Sequence, residues 1–272
     1  MSAIAPVHRA YVDVSGRQMH YRTAGKQGHP RLLLLHQSPS SSAMYQSLMQ
    51  QLADRYQVFA PDTPGFGNSD PLPVAQHALQ ISDYAGAIHG FCDALGLGGC
   101  YVFGHHTGAA VAVQLEHDYP GTAQAIALSG PTLLNDEQKT SLPQLASPFP
   151  ADAQGSHVQA LWQRLREKDP GAPLPLTQRE LLSALACGAS YLASYQAVTR
   201  QDFAGQLPAI SCPVLVFAGD EDPLYAAVGP TLALLQSGHT VDLPGGERTY
   251  VCERQADIVA GVLHNFFDQT GS

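Results

Sequence analysis

The clearest chemical signal in the chain is Gly104-His105-His106-Thr107-Gly108. Two glycines flank a central side chain that is entered from the apolar residues 100–103 and left through the small-residue run 109–116. This is the pattern of a strand, a sharp turn and a helix that presents its middle residue at the bend, the nucleophile elbow. The glycines have a steric reason: the middle residue takes a strained backbone conformation, and flanking side chains would strike the neighbouring strand and helix. Where a serine, cysteine or aspartate is expected, this chain has His106. A neutral imidazole titrates near physiological pH, so the chemistry on offer is the removal or delivery of a proton.

Positioning such a residue calls for alternating strands and helices. Residues 11–14 and 18–22 alternate in polarity around a turn at Ser15-Gly16 and read as an antiparallel edge. The runs 31–35 and 57–60 suit strands buried on both faces of a parallel sheet, and 123–128, 214–218 and 240–243 supply further strands. Helical spacing is found at 43–55, 79–95 and 256–267. The order implies an α/β fold, with a mostly parallel central sheet and helices on both faces. Residues 132–205 break the alternation with six prolines between 143 and 175 and helical segments near 157–168 and 178–199. They are expected to form a helical cap inserted into a core made of 1–131 and 206–272, roofing a pocket at the carboxyl edge of the sheet. Trp162, Tyr191 and Tyr195, with Leu161, Leu165 and Leu192, are candidates to line it; packing of the cap against the sheet is the competing role for each.

The chain has 272 residues, enough for one large domain with a substantial core. With 14 Lys and Arg against 23 Asp and Glu, its formal charge is −9, and it contains no basic cluster to neutralise a run of phosphates, so nucleic acid is not an expected partner. The five cysteines form no CxxC pair and are odd in number, which points away from a disulfide framework or structural zinc and towards a reducing cytoplasm. Residues 1–9 lack the apolar core of a signal peptide, and no run approaches the roughly 18 apolar residues of a membrane span. None of the 12 histidines forms an H-x-x-x-H or H-E-x-x-H pair, so no metal is expected.

Together these segments resemble the α/β-hydrolase family, specifically its small capped members, over nearly the whole chain. The resemblance is carried by 33–39 (LLLHQSP), 60–69 (APDTPGFGNS), the elbow, and 217–223 (FAGDEDP), in that order. It implies an oxyanion hole built from the backbone N–H of Gln37 or Ser38 and of Thr107. Two donors aimed at developing negative charge stabilise a transition state by several kcal/mol. It also implies a catalytic acid at Asp222, with Asp220 the alternative, and a histidine after the last strand. That last position falls on Glu247 or Arg248 instead, while His239 and His264 lie elsewhere.

Several roles for His106 follow. It can form a dyad with Asp222 or Glu247 and act as general base, or attack substrate directly. It can donate a hydrogen bond in a pocket that only binds, or be a packed polar residue in a retired site. The implied activity is hydrolysis of an ester, a lactone or a C–C bond beside a carbonyl in a small organic substrate, without an organic cofactor. The alternatives are a cofactor-free lyase, decarboxylase or cyclase using His106 as proton shuttle, and a ligand-binding protein without turnover. Among the remaining polar residues, His36 is expected to hydrogen-bond the oxyanion turn, with substrate contact as a second possibility. His105 is expected to support the elbow, Ser129 to bond backbone, Ser38 and Ser40 to Ser42 to cap the following helix, and Asp62 and Ser69 to hold their loop.

Overall fold

The computed structural model describes residues 5–146, 149–243, 245 and 248–270. Its sheet contains β1 (His8–Val14), β2 (Arg17–Ala24), β3 (Arg31–Leu35), β4 (Gln57–Pro61), β5 (Cys100–His105), β6 (Ala123–Ser129), β7 (Val214–Phe217) and β8 (Gly238–Thr240), in the spatial order β1-β2-β4-β3-β5-β6-β7-β8. β2 pairs antiparallel with β1 and β4, and every other pairing is parallel. Helices α1 (Gln46–Leu52), α2 (Ile81–Leu95) and α3 (Thr107–Asp118) alternate with the strands. Then α4 (Asp136–Leu145), α5 (Ser156–Lys168), α6 (Leu174–Cys187) and α7 (Ser190–Arg200) follow one another within residues 132–205. The chain continues through α8 (Phe203–Gln206), α9 (Val228–Ala233), α10 (Val251–Arg254) and α11 (Ala256–Thr270). This is the α/β-hydrolase architecture.

The unbroken apolarity of β3 has a direct cause in the two-residue period of a strand. Leu33 and Leu35 pack with Val102, Leu128, Val216 and the inner faces of α2 and α3. Leu32 and Leu34 turn the other way, onto Phe103, Phe217 and the α1 and α11 side chains Leu48, Leu263 and Phe267. The elbow follows from equally close packing. A Cβ at Gly104 would lie 2.3 Å from the Gly108 carbonyl oxygen, and one at Gly108 would lie 1.9 Å from that of Leu35. Glycine at both positions lets α3 start directly against β3 and β5.

Three elements differ from expectation. The helix expected over 43–55 opens with a tight turn at Ser42–Tyr45, where the Ser41 hydroxyl accepts the Ala43 N–H at 3.3 Å, and α1 begins only afterwards. The stretch expected as one helix near 178–199 is two helices, α6 and α7, bent by 87°. The break falls at Gly188, whose φ of +50° suits glycine. The last strand lies at 238–240 rather than 240–243, on an exposed edge. The apolar residues Val241 and Leu243 pack beneath the end of the sheet instead, with Leu243 making a single parallel bridge to Gly219. Among the described residues no single helix is long and apolar enough to cross a membrane.

Asp62 ties down the loops that lead to the carboxyl edge. Its carboxylate accepts the N–H groups of Ser42 (2.7 Å) and Asn68 (3.0 Å) and meets His20 Nδ1 at 2.8 Å, while its carbonyl accepts the Ser69 hydroxyl at 2.7 Å. Burial alone would push this carboxyl up, but His20, the neighbouring His36 and the two N–H groups prevail and hold it down at about 2. A depressed folded-state value stabilises the protein fully above the unfolded carboxyl's value near 3.8 and loses that contribution as pH falls towards 2. Asp62→Asn is therefore expected to cost about 2 kcal/mol at pH 7. Urea-unfolding midpoints of the two proteins should converge near pH 2, and a constant difference across that window would contradict the assignment.

Candidate active site

His106 sits at φ +50° and ψ −112°, the one strained non-glycine position between β5 and α3. The bend is held by its own backbone: the His106 N–H donates to the Ser129 carbonyl at 2.9 Å, and its carbonyl accepts Ala109 N–H at 2.8 Å. The ring lies over Gly130, where a Cβ would come within 2.3 Å of His106 Cδ2. From there it reaches Asp222 in the turn after β7, with Nε2 and Oδ2 2.7 Å apart. The acid is fully buried and the imidazole 14% exposed.

Burial would push the Asp222 carboxyl up, yet His106 and the Leu224 N–H at 2.8 Å bring it below the ordinary carboxylate value. An ionised carboxylate only accepts hydrogen bonds, so Nε2 carries the proton and Nδ1 the lone pair. Among the described residues no protein group takes that lone pair. Of the three acids proposed from sequence, Asp222 is the one that reaches the ring, and Asp220 is exposed. Glu247, the other proposed partner, lies outside the described residues. Arg248 points away, donating to Glu221 Oε2 and to the Lys168 carbonyl, both at 3.3 Å.

Behind His106, stacked on it at 4.2 Å between ring centroids, is the buried ring of His105. Its Nε2–H donates to the Thr249 carbonyl and its Nδ1 accepts the Ser129 hydroxyl, both at 3.0 Å. Burial, aided by His106, lowers His105 to about 3 and keeps it neutral, so His106 can gain a proton without a cation pressed against it. Ser129 bonds this side chain rather than backbone, and its complete burial closes it to substrate. Thr249 supplies its carbonyl near the place where the resemblance calls for a histidine. Sequence reasoning could not find it, since a backbone oxygen has no residue-type signature.

The turn after β3, expected to supply an oxyanion-hole donor, is more occupied than expected. Ser38 N–H faces the Thr107 hydroxyl at 3.3 Å, a long bond that a better acceptor can replace. Thr107 opens α3, so its own N–H is among the first-turn donors that find no acceptor within the helix. Gln37 is buried and donates from Nε2 to the Thr249 carbonyl at 3.3 Å. His36 takes the backbone-bracing role expected first, and the substrate contact expected second is corrected. Its Nδ1–H donates to the Gln37 carbonyl at 2.8 Å and its Nε2 accepts the Thr63 N–H at 2.9 Å, which leaves neither nitrogen for a ligand. Burial pushes the His36 imidazole down, consistent with a neutral ring.

Helices α6 and α7 meet this turn through polar groups. The Tyr195 hydroxyl donates to the Ser38 carbonyl at 3.2 Å, and Tyr191 packs edge-on against Tyr195 with centroids 5.2 Å apart. Ser40 donates to Glu180 at 2.9 Å, and Arg179 bridges Glu180 to Glu253 of α10. Sequence reasoning missed this pair of a half-buried Arg179 and a buried Glu180; adjacent charges in a largely apolar helix were the available signal. Leu161 and Leu165 pack on Ala184, Leu181 and Tyr191. Trp162 is half-buried on α5, and among the described residues no hydrogen bond or ring contact joins it to the dyad. No group of three His, Cys, Asp or Glu side chains among the described residues is arranged to hold a metal ion.

Comparison with known proteins agrees with this architecture. The model of the alpha/beta hydrolase fold family matches residues 30–229. The chain is 26% identical over 278 residues to 2-(acetamidomethylene)succinate hydrolase of Mesorhizobium japonicum, covering 94% of each protein. It is 32% identical over 106 residues to mouse epoxide hydrolase 4, a match spanning 39% of this chain and only 29% of that protein. Among solved structures, a putative lipase from Acinetobacter baumannii AYE superposes with a TM-score of 0.82 at 19% identity, covering 97% of this chain and 92% of the other.

Gly130→Ala tests the geometry of the dyad. Its Cβ would enter the space of the His106 ring at a position with φ +62°. We expect a stability loss of about 1–3 kcal/mol, as for overpacked sites, and disappearance of the low-field imidazole N–H resonance that the charge-assisted bond to Asp222 should give in proton NMR spectra. Survival of that resonance would show that the ring is placed otherwise.

Proposed function

Since the chain belongs to the alpha/beta hydrolase fold family, we propose that it hydrolyses a small, carbonyl-containing organic molecule with His106 as general base. The observation that carries this reading is the 2.7 Å bond from His106 Nε2 to Asp222, which leaves Nδ1 basic and without a protein partner among the described residues. In the proposed reaction Nδ1 takes a proton from water as the water oxygen adds to the substrate carbonyl. The carbonyl electrons move onto oxygen, where the N–H groups of Thr107 and Ser38 stabilise the charge. Collapse expels the leaving group, which receives the proton held on His106. Asp222 fixes the tautomer at the start and offsets the imidazolium charge in between. Ester, lactone and carbonyl-adjacent C–C bonds all satisfy this scheme.

The 132–205 insertion is the cap in this reading, supported by the contacts of Tyr195 with Ser38 and Glu180 with Ser40. The relative matched over 94% of both chains is named for hydrolysis, which supports the reaction class. All five cysteines are unpaired, which fits work in a reducing cytoplasm. A second reading rests on one observation: the central position of the bend, His106, carries no hydroxyl or thiol to hold an acyl group. The same Nδ1 could then remove a carbon-bound proton, as in a cofactor-free lyase, decarboxylase or cyclase.

The test is turnover of p-nitrophenyl acetate by wild type, His106→Ala and Asp222→Asn. Each substitution is expected to lower kcat/KM by about 10²–10⁴-fold, the usual worth of a positioned base. Mass spectrometry of acid-quenched enzyme should find no acetyl adduct, whereas an adduct on His106 would establish direct attack. Undiminished hydrolysis by His106→Ala would overturn the proposal. Ligand binding with no turnover in any variant would favour a receptor.

A further inference from the structure

The peptide group between Gln37 and Ser38 is gripped from its carbonyl side. The oxygen accepts the His36 Nδ1–H at 2.8 Å and the Ser40 N–H at 3.0 Å. The N–H of the same peptide is that of Ser38, which faces the Thr107 hydroxyl at 3.3 Å and is a charge-stabilising donor in the proposed reaction. Linked hydrogen bonds polarise one another, so two donors on the carbonyl strengthen the N–H at the other end of the amide. They also fix where that N–H points, and such a donor is effective only at about 2.7–3.1 Å from the developing charge.

Ser40 is in turn held from outside the turn. Its hydroxyl, instead of capping a helix, donates to Glu180 Oε1 of α6 at 2.9 Å. Ser40 and Glu180 are each only 1% exposed, so water does not compete for this bond. The same Glu180 oxygen accepts Arg179 Nη2 at 2.6 Å and Nε at 3.1 Å, and Arg179 also pairs with Glu253 of α10. A buried carboxylate is tolerated when it is paired and its remaining lone pairs are used. Here those requirements clamp α6 to α10 on one side and to the turn after β3 on the other. The Tyr195 hydroxyl of α7 adds a second grip, 3.2 Å from the Ser38 carbonyl.

We infer that Glu180 is a positioning residue for the Ser38 donor: acting through Ser40, it holds the 37–38 peptide in the orientation that stabilises charge on the substrate oxygen. This rests on the proposed reaction and adds a control to its site. The donor is set only while α6 is seated against the turn, so the seating of this helix and the readiness of the site are one event.

Ser40→Ala removes the link and leaves the Arg179–Glu180 pair in place, while Glu180→Gln keeps the size of the side chain and removes its charge. With p-nitrophenyl acetate, each is expected to lower kcat by about tenfold at unchanged KM, as when an interaction made only in the transition state is weakened. The double variant should lose no more than either single one, because the two side chains act in one chain. Methyl methylphosphonate, whose tetrahedral anion imitates the water adduct of an acetate ester, gives a readout without turnover. In proton–nitrogen correlation spectra it should shift the Ser38 amide of wild type, and its affinity should fall about tenfold in Ser40→Ala. His106→Ala should keep that shift, so failure of the hydrolytic reading is distinguishable from failure of this one. An unmoved Ser38 amide in wild type, phosphonate affinity unchanged in Ser40→Ala, losses confined to KM, or additive losses in the double variant would overturn the inference.

Discussion

The hydrogen bond between His106 and Asp222 organises the carboxyl edge of this sheet. It joins the ends of two strands that are not neighbours, β5 and β7, across β6. Three conditions permit it. The backbone at residue 106 must be strained, residue 130 must lack a Cβ, and the acid must be buried so that its charge is directed at the ring. Each condition costs stability by itself. Strained φ/ψ values cost of order 1–3 kcal/mol, and a buried carboxylate costs more unless it is paired. The bond between ring and acid offsets these costs together, so the strained bend, Gly130 and the buried acid depend on one another.

Much of the fold was legible because burial on both faces of a parallel sheet leaves continuous apolar runs. β3, β4, β6 and β7 all fall within a residue or two of where such runs end. The last strand was displaced because Val241 and Leu243 are apolar for packing under the sheet, and an edge strand of three exposed residues has no pattern of its own. The bend at Gly188 was hidden by helical spacing that continues on both sides of it. Spacing reports which face is buried, and a helix pair can bury one composite face.

The site was legible to the same degree. His106, Asp222, Thr107 and Ser38 could be named because motif spacing determines where backbone turns occur. Their contacts could not, since these depend on rotamers and on loops distant in sequence. His36 shows the difference: its place beside the oxyanion turn was readable, while the Thr63 N–H that occupies its second nitrogen comes from 27 residues away.

An imidazole at the elbow also alters the logic of the three-residue relay. With a hydroxyl at that position, the acid must act through an intervening histidine, because a serine side chain is too short to reach it. The longer side chain of His106 spans that gap alone and contacts Asp222 directly at 2.7 Å. Under the proposed mechanism, base and nucleophile-bearing position are thereby merged, and a further histidine after the last strand would have no proton to carry. The space behind the dyad holds a neutral His105 instead, fixed between Ser129 and the Thr249 carbonyl. A second ionisable ring there would resist protonation of the first. Lowered to about 3 by burial, His105 stays uncharged, so two adjacent rings stack without placing a second cation against the dyad.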